Sequence, residues 1–350
     1  MRIYTTLETF RPDFSSPLFL ALGNFDGLHI GHQNILRRAL QEAALSKGRL
    51  AVLTFQRHPQ QILQTQKPVP RLLTSPFHKL WLLKESKADI CFFLPFTTEF
   101  SRLEPEAFIE KILIQRLKIH KVYMGYSARF GHHRKGDVNL MREASKRFGF
   151  GFEEIPPVKI QNEFVSSSKI REFVSAGRLE EARSFLGRPY SILGKVIKGG
   201  GQGARLGYPT ANLEAVEYVL PPQGVYPAEA RLFSLSAGPQ NEAGEIFRGG
   251  PAGSWYRGVL NYGFRPTFKA AAEPQLEIHL LDFHGDLYGK DLEVSFHPRF
   301  REEKRFETAE GLKAQIAEDI AAAKRYFSIS QVSPLQKTAK ESGGAFLFLK

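Results

Sequence analysis

The chain has a single cysteine among its 350 residues, Cys91, inside the apolar run ADICFFLPF. One cysteine excludes a disulfide framework, and in such a run it reads as strand core rather than reactive thiol or metal ligand. No apolar run approaches the roughly 18 residues of a membrane-spanning helix. The opening MRIYTTLETFRPDF lacks the apolar region and small-residue cleavage site of a secretory signal. These absences together point to the cytoplasm, with no membrane partner. There is no internal repeat, and no RNP-like, zinc-finger or helix-turn-helix pattern. Acidic residues are the scarcer charge: 48 Lys and Arg against 36 Asp and Glu leave a net +12. That balance suits nucleic acid, an anionic membrane or small polyanionic substrates. The cations are scattered rather than blocked, which weighs against nucleic acid.

What is present is enough for ordinary cores: 42% of the residues are hydrophobic. At roughly 150 residues per domain, the length suggests two domains. The first half alternates, with strands expected at Leu18–Leu22, Leu50–Phe55, Ile90–Leu94, Lys121–Gly125 and Phe152–Ile155. Helical patterns lie between them, including EPEAFIEKILIQRL and VNLMREASKRFG. Strands separated by helices imply a doubly wound parallel sheet in the α/β class, with ligands at the carboxyl ends of the strands. After Gly177 the texture changes. LEEARSFL reads as a short helix stopped by Gly187 and Pro189. Short alternating apolar runs with frequent turn residues follow, as in a small antiparallel β-barrel. Residues 234–254 read as an extended loop, LKAQIAEDIAAAKRYF as a C-terminal helix with Leu312, Ile316, Ile320 and Ala323 on one side, and 328–350 as a flexible tail. The expected division is therefore 1–186 and 187–327, with few contacts crossing the Gly-Arg-Pro break.

Between the first of those strands and its helix stands GNFDGLHIGHQNIL, residues 23–36. Gly23, Gly27 and Gly31 permit backbone geometry that other residues resist. A helix N-terminus is a ready phosphate site, and His29 and His32, three apart, would stand on one face of its opening turn. Two histidines beside a glycine are weak evidence alone. Three other strand ends add anion-binding groups: TFQRHP offers Arg57 and His58, GYSARFGHHRKGD offers Arg129, His132, His133 and Arg134, and SSSKIRE offers three hydroxyls with Lys169 and Arg171. Capping would explain one serine there, not three with two cations.

FDGLHIGH with SSSKIR resembles the nucleotidyltransferase superfamily, whose HxGH pair and Ser/Thr-rich Arg helix hold ATP. More narrowly, TFQRHP and RFGHHRKGD resemble the FAD synthetase module of bifunctional bacterial riboflavin kinases. The resemblance implies an ATP site at Gly23, Asn24, Phe25, Asp26, His29, His32, Ser168 and Arg171, with His58 and Arg129 toward FMN. Where that family usually has Asp-Phe before RFG, this chain has Ser127 and Ala128; Ser168 replaces the usual Thr and keeps the hydroxyl. Adenylyl transfer needs no protein nucleophile, only positioning and neutralised charge on phosphate oxygens. No Ser-His-Asp or Cys-His arrangement accompanies these motifs.

In the second half, GKVIKGGGQGARLGYPTANL is the most specific stretch. It is no Walker motif, because no GK[ST] ends it and no helix follows. Thr210 and Asn212 put two neutral oxygens on one side of an extended segment, hard ligands suited to Mg²⁺. With LNYGFRPTF, QLEIHLLDF, LYGKDLEV and FREEKRF, in that order, the half is similar to riboflavin kinase. The resemblance implies a six-stranded barrel. MgATP would lie at Gly199, Gly201, Gly203, Arg205, Thr210 and Asn212, and riboflavin near Glu277 and Arg301. Glu277 matches the family's base; Leu276, Ile278 and Leu280 should share the opposite strand face. Three readings were weighed: riboflavin kinase with FMN adenylyltransferase, a transferase acting on another acceptor, and a basic nucleic-acid-binding barrel on a degenerate α/β domain. The combined motifs favour the first, with riboflavin, FMN and ATP as its small-molecule partners.

Overall fold

In the computed structural model the described residues are 1–13, 15–57, 69–215, 217–234, 245–263 and 275–329. His58, residues 235–244 of the expected loop, and the tail from 330 lie outside them.

The first half is a parallel sheet. Its elements are β1 (Arg2–Tyr4), β2 (Leu18–Leu22), α1 (Ile30–Leu45), β3 (Arg49–Phe55), α2 (Pro76–Glu85), β4 (Ile90–Leu94), β5 (Lys121–Gly125), α3 (Val138–Phe148), β6 (Gly151–Ile155), α4 (Ser167–Ser175) and α5 (Leu179–Leu186). The strands lie in the order β1-β4-β3-β2-β5-β6, every neighbouring pair parallel. β2 and β4 are buried at all five positions, because helices cover both faces, so their sequences run apolar without alternating. Order reverses between β2 and β5. That switch point opens a crevice at the carboxyl ends, where the GNFDG and GYSARFG loops leave the sheet.

Five expected strands are present, with ends shifted by a residue at most. β1 was not legible: three residues are too short to carry a period. The segment read as one helix over 104–117 is a turn of α-helix at Pro105–Ala107 followed by a π-helix at Phe108–Arg116.

The second half closes into a six-stranded antiparallel barrel. Its strands are β7 (Ser191–Ile197), β8 (Ala211–Glu214), β9 (Gly224–Ser234), β10 (Gly250–Gly263), β11 (Gln275–Leu280) and β12 (Asp291–Phe296), closing in the order β8-β11-β10-β9-β12-β7. The C-terminal helix α6 (Ala309–Ile329) turns Asp319, Ala323 and Phe327 inward. Of the expected row, Ala323 is buried and Leu312, Ile316 and Ile320 are half-buried. Both Asp319 oxygens accept from Arg301, at 2.8 and 2.6 Å.

The expectation of few contacts between the halves is corrected. Glu245–Ile246, inside the stretch read as loop, pairs antiparallel with β1 and so extends the first half's sheet. β10 already begins at Gly250, so the stretch is shorter as a loop than it looked. Leu72 exchanges backbone hydrogen bonds with Glu217 and Val219. Leu193, Phe233 and Phe247 enter the hydrophobic cluster beneath the sheet. Glu293 of the barrel is buried against Arg231, at 2.7 Å, and faces His78 of α2 at 3.4 Å. Burial opposes ionising Glu293, yet the Arg231 charge and the His78 contact bring its pKa down to about 2. The Arg231 guanidinium is in turn stacked between Trp81 and Trp255, 5.0 and 4.3 Å from the ring centres. Arg231 and Glu293 come from barrel strands and His78 and Trp81 from a helix, each an ordinary local pattern, so nothing in the sequence marks the contact.

Removing one member of a buried pair strands the other charge and typically costs about 3–5 kcal/mol. Glu293→Gln should therefore lower the unfolding temperature of the whole chain. Calorimetry should show both halves shifting together; a transition left in place would mean the pair contributes nothing across the boundary.

Candidate active sites

The loop after β2 is assembled around Asp26, a carboxylate only 2% exposed. Its oxygens accept from the backbone N–H of Leu73 and Thr74, at 3.2 and 3.1 Å, from the Thr74 hydroxyl at 3.2 Å, and from the Arg171 guanidinium. Asp26 thus fastens the N-terminal approach to α2 and the first turn of α4 to one point. The backbone around it is strained. Phe25 and Leu28 sit at φ 52° and 37°, a left-handed region that costs a non-glycine residue about 1–3 kcal/mol. Gly27, at φ 78°, is the glycine whose freedom the turn uses, and a Cβ there would lie 2.8 Å from the Leu73 side chain.

α1 begins at Ile30, with His29 as N-cap. The His29 Nδ1 accepts from the His32 backbone N–H at 3.3 Å, which leaves the proton of the neutral ring on Nε2. The two imidazoles stack, with centroids 3.6 Å apart and planes 16° from parallel. Burial, then the charges of Arg188 and Arg171, lowers the His29 pKa to about 3. Burial and the neighbouring His29 hold His32 well below its usual value. The His32 Nδ1 is buried with no hydrogen-bond partner among the described residues.

The three serines divide their work. Ser166 caps α4 by accepting from the Lys169 N–H, Ser167 donates to the Asp26 carbonyl at 2.9 Å, and Ser168 is exposed. Asn24 and Phe25 lie in the same loop, Phe25 fully buried and edge-on to His32 at 5.2 Å. Gly23 donates to the Leu53 carbonyl, joining the loop to β3. Arg129 is exposed on the neighbouring loop beside Ser127 and Ala128. Sequence reasoning missed Lys79, whose buried ammonium donates to the carbonyls of Asn24 and Phe55, at 3.1 and 3.0 Å. It lines a cleft with Asn24, Asp26, Gln56 and Thr74. Only helical periodicity surrounds Lys79, and a charge on the apolar face of α2 was the one available signal.

In the barrel, β8, β11 and β10 set Asn212, Glu277 and Asn261 side by side in register. The Thr210 hydroxyl donates to the Glu277 carboxylate at 3.3 Å. β11 alternates as expected: Leu276, Ile278 and Leu280 are buried, Glu277 and His279 half-buried on the other face. A Cβ on Gly199 would fall 2.1 Å from the Asn212 amide, and one on Gly203 would fall 2.4 Å from the Tyr208 carbonyl. The glycine loop therefore lies directly over Asn212. Gly201 has φ 69°, and Arg205 is exposed in the short helix Gln202–Arg205. The Arg301 guanidinium is engaged by Asp319. Among the described residues no three His, Cys, Asp or Glu side chains cluster as a metal site.

A switch-point phosphate loop fused to a glycine-looped barrel with a carboxylate beside two neutral oxygens defines a two-module transferase acting on nucleotides. The comparisons agree. Residues 12–169 match the FAD synthetase family and residues 186–327 the riboflavin kinase family. A bifunctional riboflavin kinase/FMN adenylyltransferase of Haemophilus influenzae is 35% identical over 309 residues, 88% of this chain and 94% of that protein. The Escherichia coli K12 protein of the same name is 33% identical over 312 residues, 89% of this chain and 93% of its own. A solved structure from Streptococcus pneumoniae, described as a macrolide-efflux protein, covers 93% of the chain with a TM-score of 0.75 at 24% identity, a likeness of fold. The chain belongs to the bifunctional riboflavin kinase/FMN adenylyltransferase family. Its C-terminal half phosphorylates riboflavin to FMN with ATP, and its N-terminal half adenylylates FMN to FAD, releasing pyrophosphate. Among the described residues no helix is long and apolar enough to cross a membrane.

The low pKa values of the paired imidazoles are checkable without substrate. An ordinary histidine would be roughly nine-tenths protonated at pH 5.5. Nitrogen-15 NMR of labelled histidine should show His29 and His32 still neutral there, the depressed pKa placing their protonation further into acid. Imidazolium signals from both would contradict the burial described.

Proposed function

We propose that adenylyl transfer is carried by His29, His32, Ser168 and Arg171 around the triphosphate of ATP, with Gly23, Asn24, Phe25 and Asp26 shaping the loop. The observation that carries this reading is the stacked, buried histidine pair at the N-terminus of α1. A phosphate oxygen of FMN attacks the α-phosphorus and pyrophosphate leaves, so the protein must hold the reactants in line and stabilise the equatorial oxygens. Both histidines are neutral as the structure holds them. Their contribution is one ring N–H donor each, from Nε2 in His29, together with the unpaired N–H groups of the first helical turn. Positive charge comes instead from Arg171, Arg188 and Lys79, which surround the loop. Arg129 would face the phosphate of FMN from the loop after β5, and the resemblance gives His58 the same ligand.

For the kinase, Glu277 is the base that takes the proton of the primary ribityl hydroxyl as it attacks the γ-phosphorus. Gly199, Gly201, Gly203 and Arg205 would cover the phosphates. Thr210 and Asn212 fit Mg²⁺, because hydroxyl and amide oxygens beside a carboxylate form a hard donor set, and the ion also draws on phosphate oxygens and water. The ion would offset phosphate charge; the chain's own part is to hold the nucleotide and accept the proton. Arg301 could reach a flavin only by leaving Asp319, or with a part of its fork that Asp319 does not use. The cytoplasm is the proposed compartment, consistent with Cys91, a buried thiol whose pKa burial pushes up to about 12.

Incubating the protein with riboflavin, ATP and Mg²⁺ and separating the flavins should yield FMN and then FAD. His32→Ala should lower FAD formation by about 10²–10³-fold, the usual effect of removing one donor to developing charge, while FMN formation stays near wild type. Equal loss of both would make the histidine structural. Glu277→Gln keeps the size and one acceptor but cannot take a proton, so FMN formation should fall by about 10²–10⁴-fold with riboflavin still bound. Wild-type turnover in single-turnover phosphorylation would dismiss Glu277 as the base.

A further inference from the structure

We propose that Arg188, contributed by the kinase-matched segment, is a positioning residue for adenylyl transfer in the other half of the chain. It rests on the reading that the His29–His32 loop holds ATP. Arg188 follows α5 at the Gly-Arg-Pro break and turns back beneath the phosphate loop. One terminal nitrogen donates to the Gly27 carbonyl at 2.9 Å, and the other lies 3.5 Å from the carbonyls of Leu28 and Leu186. Gln33 of α1 joins the same knot, donating to Leu28 and Leu186 at 2.9 Å each. Two of the three carbonyls so gathered belong to the residues immediately before His29, and one of those residues, Leu28, is at a strained positive φ.

A strained turn persists only where its surroundings over-determine it. Asp26 fixes the turn from one side through α2 and α4; Arg188 fixes it from the other. Burial lowers the Arg188 pKa to about 10, which leaves it cationic at neutral pH, and its Nε is buried without a partner among the described residues. A buried guanidinium held by main-chain carbonyls is costly unless its placement is useful. Here it places a positive charge under an anion site and adds to the burial that keeps His29 neutral. The charged and titratable groups about His29 are Arg188 from the linker, Arg171 from α4 and His32 from its own helix.

The test uses the full chain with Arg188→Met and Arg188→Lys, measuring FAD formation from FMN and MgATP beside FMN formation from riboflavin. Misplacing a reacting group by about 1 Å can cost about 10²-fold, and a loss of that order in FAD formation is expected for Arg188→Met, with FMN formation nearly unchanged. In the same variant the NMR titration of His29 should move to higher pH, since a neighbouring cation is gone. Arg188→Lys should recover part of the FAD formation and return the titration toward wild type. Equal losses of both activities, or full FAD formation with an unmoved His29 titration, would overturn the proposal. If Arg188→Met is insoluble, Arg188→Lys decides: it must lose more FAD than FMN formation while His29 stays neutral at pH 5.5. His32→Ala assayed alongside separates the two levels. Intact FAD formation there would remove the ATP-site reading and this proposal with it; a crippled His32→Ala beside a fully active Arg188→Met would remove the proposal alone.

Discussion

Asp26 is the constraint on which the first site depends. A buried carboxylate is costly unless it collects hydrogen bonds or a counter-charge, and Asp26 collects both. In doing so it ties together segments about 50 and 145 positions away in sequence. The Leu73–Thr74 turn leads into α2 and brings Lys79 under the loop; Arg171 brings the serines of α4. Ser167 adds a hydrogen bond to the Asp26 main-chain carbonyl, which draws the start of α4 to the same turn. The strain at Phe25 and Leu28 is then intelligible as geometry imposed by partners rather than preferred by the residues themselves.

The same logic carries across the boundary between the halves. Arg188 reaches from the barrel side into the phosphate loop, while Glu293 reaches from the barrel to α2. The Glu245–Ile246 strand finishes the sheet's edge next to β1, covering backbone groups that an exposed edge would leave unpaired. These contacts mean that two activities with separate sites share supporting structure. As proposed, the two sites would use unlike solutions to one problem, the handling of polyphosphate: helix N-terminus and neutral imidazoles in one, a glycine loop over hard oxygen donors in the other.

Much of this was legible in the sequence because the relevant signals were local. The strands of the sheet announced themselves as apolar runs of five to seven residues, and β11 by its strict alternation around Glu277. The histidine loop was legible because spacing alone puts positions 29 and 32 on one turn. What escaped was long-range. Lys79, Arg188 and Glu293 each sit in unremarkable local patterns, and only the fold brings them to carbonyls or charges far along the chain. Short elements escaped too, since two or three residues at β1 and Glu245–Ile246 show no period, and a π-helix has the composition of an α-helix. On α6 the buried Asp319 escaped, because its partner Arg301 lies on another segment and an apolar periodicity does not select a carboxylate.

The central claim is that the Asp26–Arg171 pair assembles the adenylyl-transfer site and leaves the kinase site alone. A double-mutant cycle with Asp26→Asn, Arg171→Lys and the pair together, read in kcat/KM for FAD formation with FMN formation as internal control, tests it most directly. The account predicts that each single variant loses FAD formation, that the double variant loses much less than the sum of the two, and that FMN formation holds throughout. Strictly additive losses, or losses shared equally by both activities, would contradict it.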